Sequence, residues 1–138
     1  MQSQANHHSK LGFVAAMSLL LTATPILGQT FSCFTTGVEL GNCSQFIGPF
    51  CQSVNPAISI AEQNTLSGCF NVPGKGFKCD FTIWNEFATG SIPGVGAGCT
   101  DIMDLIADNC IMGGQGTLSS SGGAFQLIPN EGSCNFNG

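Results

Sequence analysis

Tyrosine is missing from this 138-residue sequence, and basic side chains are nearly so: 3 lysines and arginines stand against 8 acids. So few cations cannot replace the counterions around a nucleic-acid backbone, which excludes nucleic-acid binding. Charged residues make up only 8% while 43% are apolar, the opposite of the balance that keeps a chain disordered. The longest apolar run, residues 11–21 (LGFVAAMSLLL), falls short of the ~20 residues that a bilayer-spanning helix needs. There is no solenoid-type internal repeat, and the length corresponds to one domain.

That apolar run reads instead as the hydrophobic part of a secretory leader over residues 1–28. Lys10 supplies its positive flank, and the small Gly28 sets a cleavage point before Gln29. Residues 29–138 then form a single domain. Its 110 residues have lost both histidines and Lys10, leaving Lys75 and Lys78 against eight acids and a net charge of −6.

All eight cysteines lie in this domain: Cys33, Cys43, Cys51, Cys69, Cys79, Cys99, Cys110 and Cys134. Behind a secretory leader, an even set predicts four disulfides, although eight cysteines allow 105 pairings. Structural zinc would want closely paired thiolates, commonly with histidine, and the nearest pair here is Cys43 and Cys51. We therefore expect no metal, no cofactor and no free catalytic thiol.

Hydrophobic periodicity and turn residues predict an α+β order, β-α-β-β-α-β. A strand is expected over 30–36 and a helix over 38–54, with a kink or restart at Gly48-Pro49. A hairpin follows, formed by strands 66–72 and 77–85 around the turn at 73–76. In the second of these, Phe77, Cys79, Phe81 and Ile83 point one way and Lys78, Asp80, Thr82 and Trp84 the other. Helix 101–112 should bury Cys99, Ile102, Met103, Ile106 and Cys110, with Thr100 or Asp101 as its N-cap. Residues 113–123 read as a Gly/Ser-rich loop. A short strand, 124–128, is expected to stop at Pro129-Asn130. The result would be a four-stranded antiparallel sheet packed with helices.

Trp84, the sole tryptophan, shares its strand face with Lys78, Asp80 and Thr82, and Asn85 follows. An aromatic ring among hydrogen-bonding groups suits a sugar, whose C–H face stacks while its hydroxyls bond. These five residues are the candidate glycan contacts. The competing reading puts a helix over Trp84. Asp101, Asp104 and Asp108 form a stripe that reads as a solvated helix face. Asp80 and Glu86 flank Trp84 and are the one carboxylate pair worth testing for glycosidase chemistry. Histidine-based triads have no base to draw on. Asn42-Cys43-Ser44 fits the N-glycosylation sequon, but the expected bonding of Cys43 in a disulfide weighs against its use.

Several blocks taken in order carry a family resemblance. They are Cys33-Phe34, the segment with Cys43 and Cys51, Cys69-Phe70-Asn71 with Pro73-Gly74, and Lys78-Cys79-Asp80-Phe81-Thr82 with Trp84-Asn85. Cys110 with Met112-Gly113-Gly114, Gly122-Gly123 with Phe125, and Pro129-Asn130 with Cys134 complete the set. The chain resembles the small secreted glycan-binding proteins of mushroom-forming fungi, of the ink-cap lectin type. Ile111 stands where that pattern has proline and Ile83 where it has a smaller residue. The resemblance implies an αβα-like sandwich held by four disulfides and a homodimer paired through a sheet edge. It also implies glycan ligands containing amino sugars, such as N-acetylgalactosamine linked to N-acetylglucosamine, and a defensive role.

The expectation is a secreted, extracellular, non-catalytic lectin whose partners are glycans or glycoproteins. The alternative is a disulfide-rich toxin or effector that acts on a membrane or receptor without reading a glycan. A hydrophobin would need two adjacent Cys-Cys pairs, which this chain lacks.

Overall fold

A computed structural model describes residues 28–54, 59–86, 90–92, 96–119 and 122–135. The predicted leader, apart from Gly28, lies outside the described residues. The strands are β1 (Gln29–Cys33), β2 (Thr65–Asn71), β3 (Phe77–Asn85), β4 (Gly114–Leu118) and β5 (Gly123–Glu131). The helices are α1 (Ile47–Ser53), entered through a 3-10 turn at Cys43–Phe46, and α2 (Gly96–Asn109).

β3 forms where alternation is strongest, and its odd positions Cys79, Phe81 and Ile83 are fully buried. It pairs with β2 through the expected hairpin, closed by Val72 N–H donating to the Phe77 carbonyl at 3.1 Å. The sheet is antiparallel with the order β1-β4-β5-β3-β2. α1 belongs to the connection that carries the chain from one sheet edge, β1, to the other, β2. Both helices pack on the face that presents Phe81, Ile83, Phe125 and Leu127. There they supply Ile47, Phe50, Val54, Ile102, Met103 and Ile106 to one core. Phe50 stacks on Phe81 with centroids 5.0 Å apart, and Phe70 meets Phe81 edge-on at 5.5 Å.

The sheet has five strands rather than the expected four, and among the described residues both helices lie on one face of it, not on both as an αβα-like sandwich would have them. The fifth is β4, in the stretch read as a loop. Gly114 and Gly116 alternate there with Gln115 and Thr117 because α2 lies directly on it. A Cβ on Gly116 would fall 2.8 Å from Ile102 Cδ1 and 3.0 Å from the Thr30 carbonyl. Close approach of the helix thus selects a residue that strand propensity disfavours.

β5 also runs through Pro129 instead of stopping before it. The β4 ladder ends at the Gly114–Leu127 pair, so Pro129 costs no ladder bond on that side while it pairs with Cys79 on the other. α2 begins at Gly96, ahead of the expected start, which places Asp101 and Asp104 inside the helix rather than at its N-terminus. The helix expected over 38–54 forms only from Cys43, and its restart falls at Ile47, just ahead of the expected Gly48-Pro49. The 3-10 turn ends at Phe46, and Pro49 is the third residue of α1, where its missing N–H is tolerated.

All eight cysteines are bonded, in the pairs Cys33–Cys110, Cys43–Cys79, Cys51–Cys99 and Cys69–Cys134. The first ties edge strand β1 to the end of α2. The second fastens the 3-10 turn to β3, and the third joins the two helices. The fourth pins the segment after β5 onto β2, where Cys134 N–H also donates to Asn71 Oδ1 at 2.7 Å.

Candidate functional site

Residues paired across an antiparallel ladder project from the same face. The register therefore assembles the second face of the sheet row by row. One row is Thr30, Thr117, Ala124, Trp84 and Thr65, and the next is Ser32, Gln115, Gln126, Thr82 and Ser67. Asp80 and Lys78 stand further along β3, beside Ile128 and Asn130. Among the described residues no helix covers this face, so the competing reading of a covered Trp84 does not hold.

Ala124 lies between Trp84 and Thr117 and is fully buried. The groove beside it has a volume of about 180 Å³ and is walled by Trp84 and Glu86 on one side and by Thr30, Ser32, Gln115 and Thr117 on the other. Thr30 Oγ1 and Thr117 Oγ1 are 2.7 Å apart and form a hydroxyl pair on the groove wall. The groove, which Phe31 of β1 also lines, thus offers one indole, three hydroxyls, one primary amide and one carboxylate. That set can stack on a ring and donate to or accept from its hydroxyls.

The five residues singled out from the sequence divide into three groups. Trp84 lines the groove, and Thr82 lies next to it along β3, its Oγ1 3.4 Å from Ser67 Oγ. Asp80 and Lys78 occupy the far end of the strand and satisfy one another. Lys78 Nζ lies 3.0 Å from Asp80 Oδ2, which also accepts from Asn130 Nδ2 at 2.7 Å. Asn85 is on the opposite face and buried, so the structure does not bring it to the other four. Its Nδ2 donates to the carbonyls of Ile60 at 3.1 Å and Gly90 at 2.8 Å. Its backbone N–H donates to Asn64 at 3.1 Å. Asn85 therefore fastens the 60–64 segment to the 90–92 segment, which also meet in the Ile60–Ile92 bridge.

Sequence reasoning missed the wall contributed by β1 and β4, because Gln115 and Thr117 fell in a presumed loop. The signal available was the Gly-x-Gly-x alternation at 114–117. The carboxylate pair does not meet glycosidase geometry. Asp80 and Glu86 are six positions apart along extended chain, roughly 20 Å, against the ~5–9.5 Å that hydrolysis of a glycosidic bond requires. Among the described residues, no cluster of three or more His, Cys, Asp or Glu could hold a metal ion, and no helix is long and apolar enough to cross a membrane.

Residues 42–134 match the family model described as glycan binding domain Y3. The chain belongs to the Y3 glycan-binding family. It is also similar to the antiviral protein CAP of Coprinus comatus, with 30% identity over 101 residues that cover 72% of this chain and 97% of that protein. The expected relation to a fungal lectin-type family therefore holds. The Y3 match spans every cysteine but Cys33 and includes Trp84, Glu86, Gln115 and Thr117. It begins after β1, so Thr30 and Ser32 lie outside it.

Proposed function

We propose that this Y3-family protein is a secreted, non-catalytic lectin that takes an amino-sugar-containing glycan in the groove beside Trp84. The observation that carries the site is the lone tryptophan on an uncovered polar sheet face, bordering a groove whose other wall comes from β1 and β4. One sugar ring stacks on the indole. Its hydroxyl and acetamido groups exchange hydrogen bonds with Thr30, Thr117, Gln115 and Glu86. A longer chain running along β3 passes Thr82 toward the Asp80–Lys78 pair, roughly 13 Å away.

Among the described residues, the only charge on the groove wall is the Glu86 carboxylate, and Lys78 is engaged by Asp80. The groove therefore favours neutral glycans over sialylated or sulfated ones. Four disulfides support an extracellular location. A defensive role follows from the resemblance and from the name of the Coprinus comatus relative. Dimerisation through an open sheet edge, β1 or β2, would set two such grooves on one assembly.

The test is a glycan array probed with the oxidised protein and with Trp84→Ala. Binding to neutral amino-sugar glycans is expected, with affinity falling about tenfold or more in the variant, since a buried aromatic anchor is worth ~1.4 kcal/mol or more. Full binding by the variant would move the site away from β3. A blank array from folded protein would overturn the lectin reading and leave the toxin reading in front.

A further inference from the structure

We propose that Asn42 is an N-glycosylation site, so that this lectin carries a glycan of its own on the side of the sheet away from its groove. Asn42-Cys43-Ser44 is the only Asn-X-Ser/Thr sequence in the chain. The bonded Cys43 weighed against it, and the structure removes that objection in two ways. First, the Cys43 side chain turns inward, fully buried in its bond to Cys79, while Asn42 and Ser44 on either side are exposed. Second, the disulfide partner lies 36 residues further along the chain. During synthesis the acceptor emerges well before Cys79, while Cys43 is still a thiol and the segment is extended.

The local backbone also leaves the acceptor amide available. Asn42 precedes the 3-10 turn at Cys43–Phe46, yet its side chain makes no capping hydrogen bond. The turn is held instead through the Asn42 carbonyl, which accepts from Gln45 Nε2 at 2.8 Å and from Gln45 N–H at 3.4 Å. Replacing an amide hydrogen on the side chain therefore disturbs no contact of the turn. In the reaction, the Asn42 amide nitrogen attacks the anomeric carbon of a lipid-diphosphate-linked oligosaccharide. The new N–C bond replaces the sugar–oxygen bond, the lipid diphosphate leaves, and the amide proton passes to the transferase.

Placement decides the consequence. Cys79 faces the helical layer, so the turn bonded to it lies on the covered side of the sheet, opposite Trp84. The residue before Asn42, Gly41, belongs to the lining of a groove that Glu39, Leu40, Asp108 and Ile111 also line, so the attached glycan is rooted at that groove's edge. It leaves the Trp84 groove open.

The full chain, produced in a secreting yeast, is analysed by intact and peptide mass spectrometry before and after treatment with peptide-N-glycosidase. The expected result is a heterogeneous mass excess that collapses on treatment and leaves an aspartate at position 42. Ser44→Ala should abolish the excess and Ser44→Thr should retain it, both variants being secreted with eight oxidised cysteines. Three results would overturn the proposal: secreted wild type with Asn42 unmodified, a chain held inside the cell unmodified, or a glycosidase-sensitive excess that survives Ser44→Ala.

Discussion

Trp84 and Asn85 adjoin on β3 and serve opposite sides of the sheet. The indole borders a groove, while the amide holds two connecting segments together. Asn85→Ala leaves the Ile60 and Gly90 carbonyls without that donor in a buried setting, a loss of about 1–3 kcal/mol. Urea unfolding should show the unfolding free energy falling by that amount, with glycan affinity per folded molecule unchanged. The reverse pattern, intact stability with lost binding, would return Asn85 to the sugar site. Trp84→Ala should divide the other way, with binding lost and the fold kept, because this side chain is only half-buried and lies outside the core cluster.

Within α2 the buried and exposed faces are cleanly separated. Cys99, Ile102, Met103 and Ile106 are fully buried, whereas Asp101, Asp104 and Asp108 are exposed. The three acids repel one another along the helix, and its last turn has no basic residue to complement the dipole. Partial burial, then Asp108, then Asp101, raise the Asp104 pKa above its ordinary 3.8. The folded state therefore binds this proton more tightly than the unfolded state does. The stability contributed by Asp104 is fully present below the ordinary carboxylate range and is lost as pH rises through the raised value. Asp104→Asn should accordingly unfold at a higher temperature than wild type at pH 7. The gap should close as pH falls through the Asp104 titration to below 3.8. An equal gap at both ends of a pH series of thermal melts would contradict this account.

Across the whole molecule the disulfides are long-range constraints, with sequence separations of 36, 48, 65 and 77 residues. Loops of such length each restrict the unfolded chain by roughly 4 kcal/mol in the chain-entropy model. A net folding stability of about 5–15 kcal/mol cannot absorb the loss of all four. Full reduction at neutral pH should abolish the cooperative thermal transition seen by circular dichroism. Replacing only the interhelical Cys51–Cys99 pair by alanines should lower stability by about 2–5 kcal/mol and keep the fold. A reduced chain that still melts cooperatively would show that the core suffices alone. The same assembly brings β1 and β4 beside β3, so the groove needs three strands distant in sequence.

The alternation in 77–85 by itself determined β3 and the shared face of Lys78, Asp80, Thr82 and Trp84, because a strand's period of two is local. The spacing of Ile102, Met103 and Ile106 likewise determined the inner face of α2, and the blocks around Cys79 and Gly113-Gly114 carried the family. Glycine-rich β4 read as a loop despite its alternation, since its residues answer to a helix packed on them rather than to strand propensity. The cysteine pairing was open for the same kind of reason: partners 36–77 residues apart are chosen by how the layers stack. Only the tertiary structure set Asn85 between two segments and Thr30, Gln115 and Thr117 opposite Trp84. Register across strands is a long-range property, and no single stretch of sequence contains it.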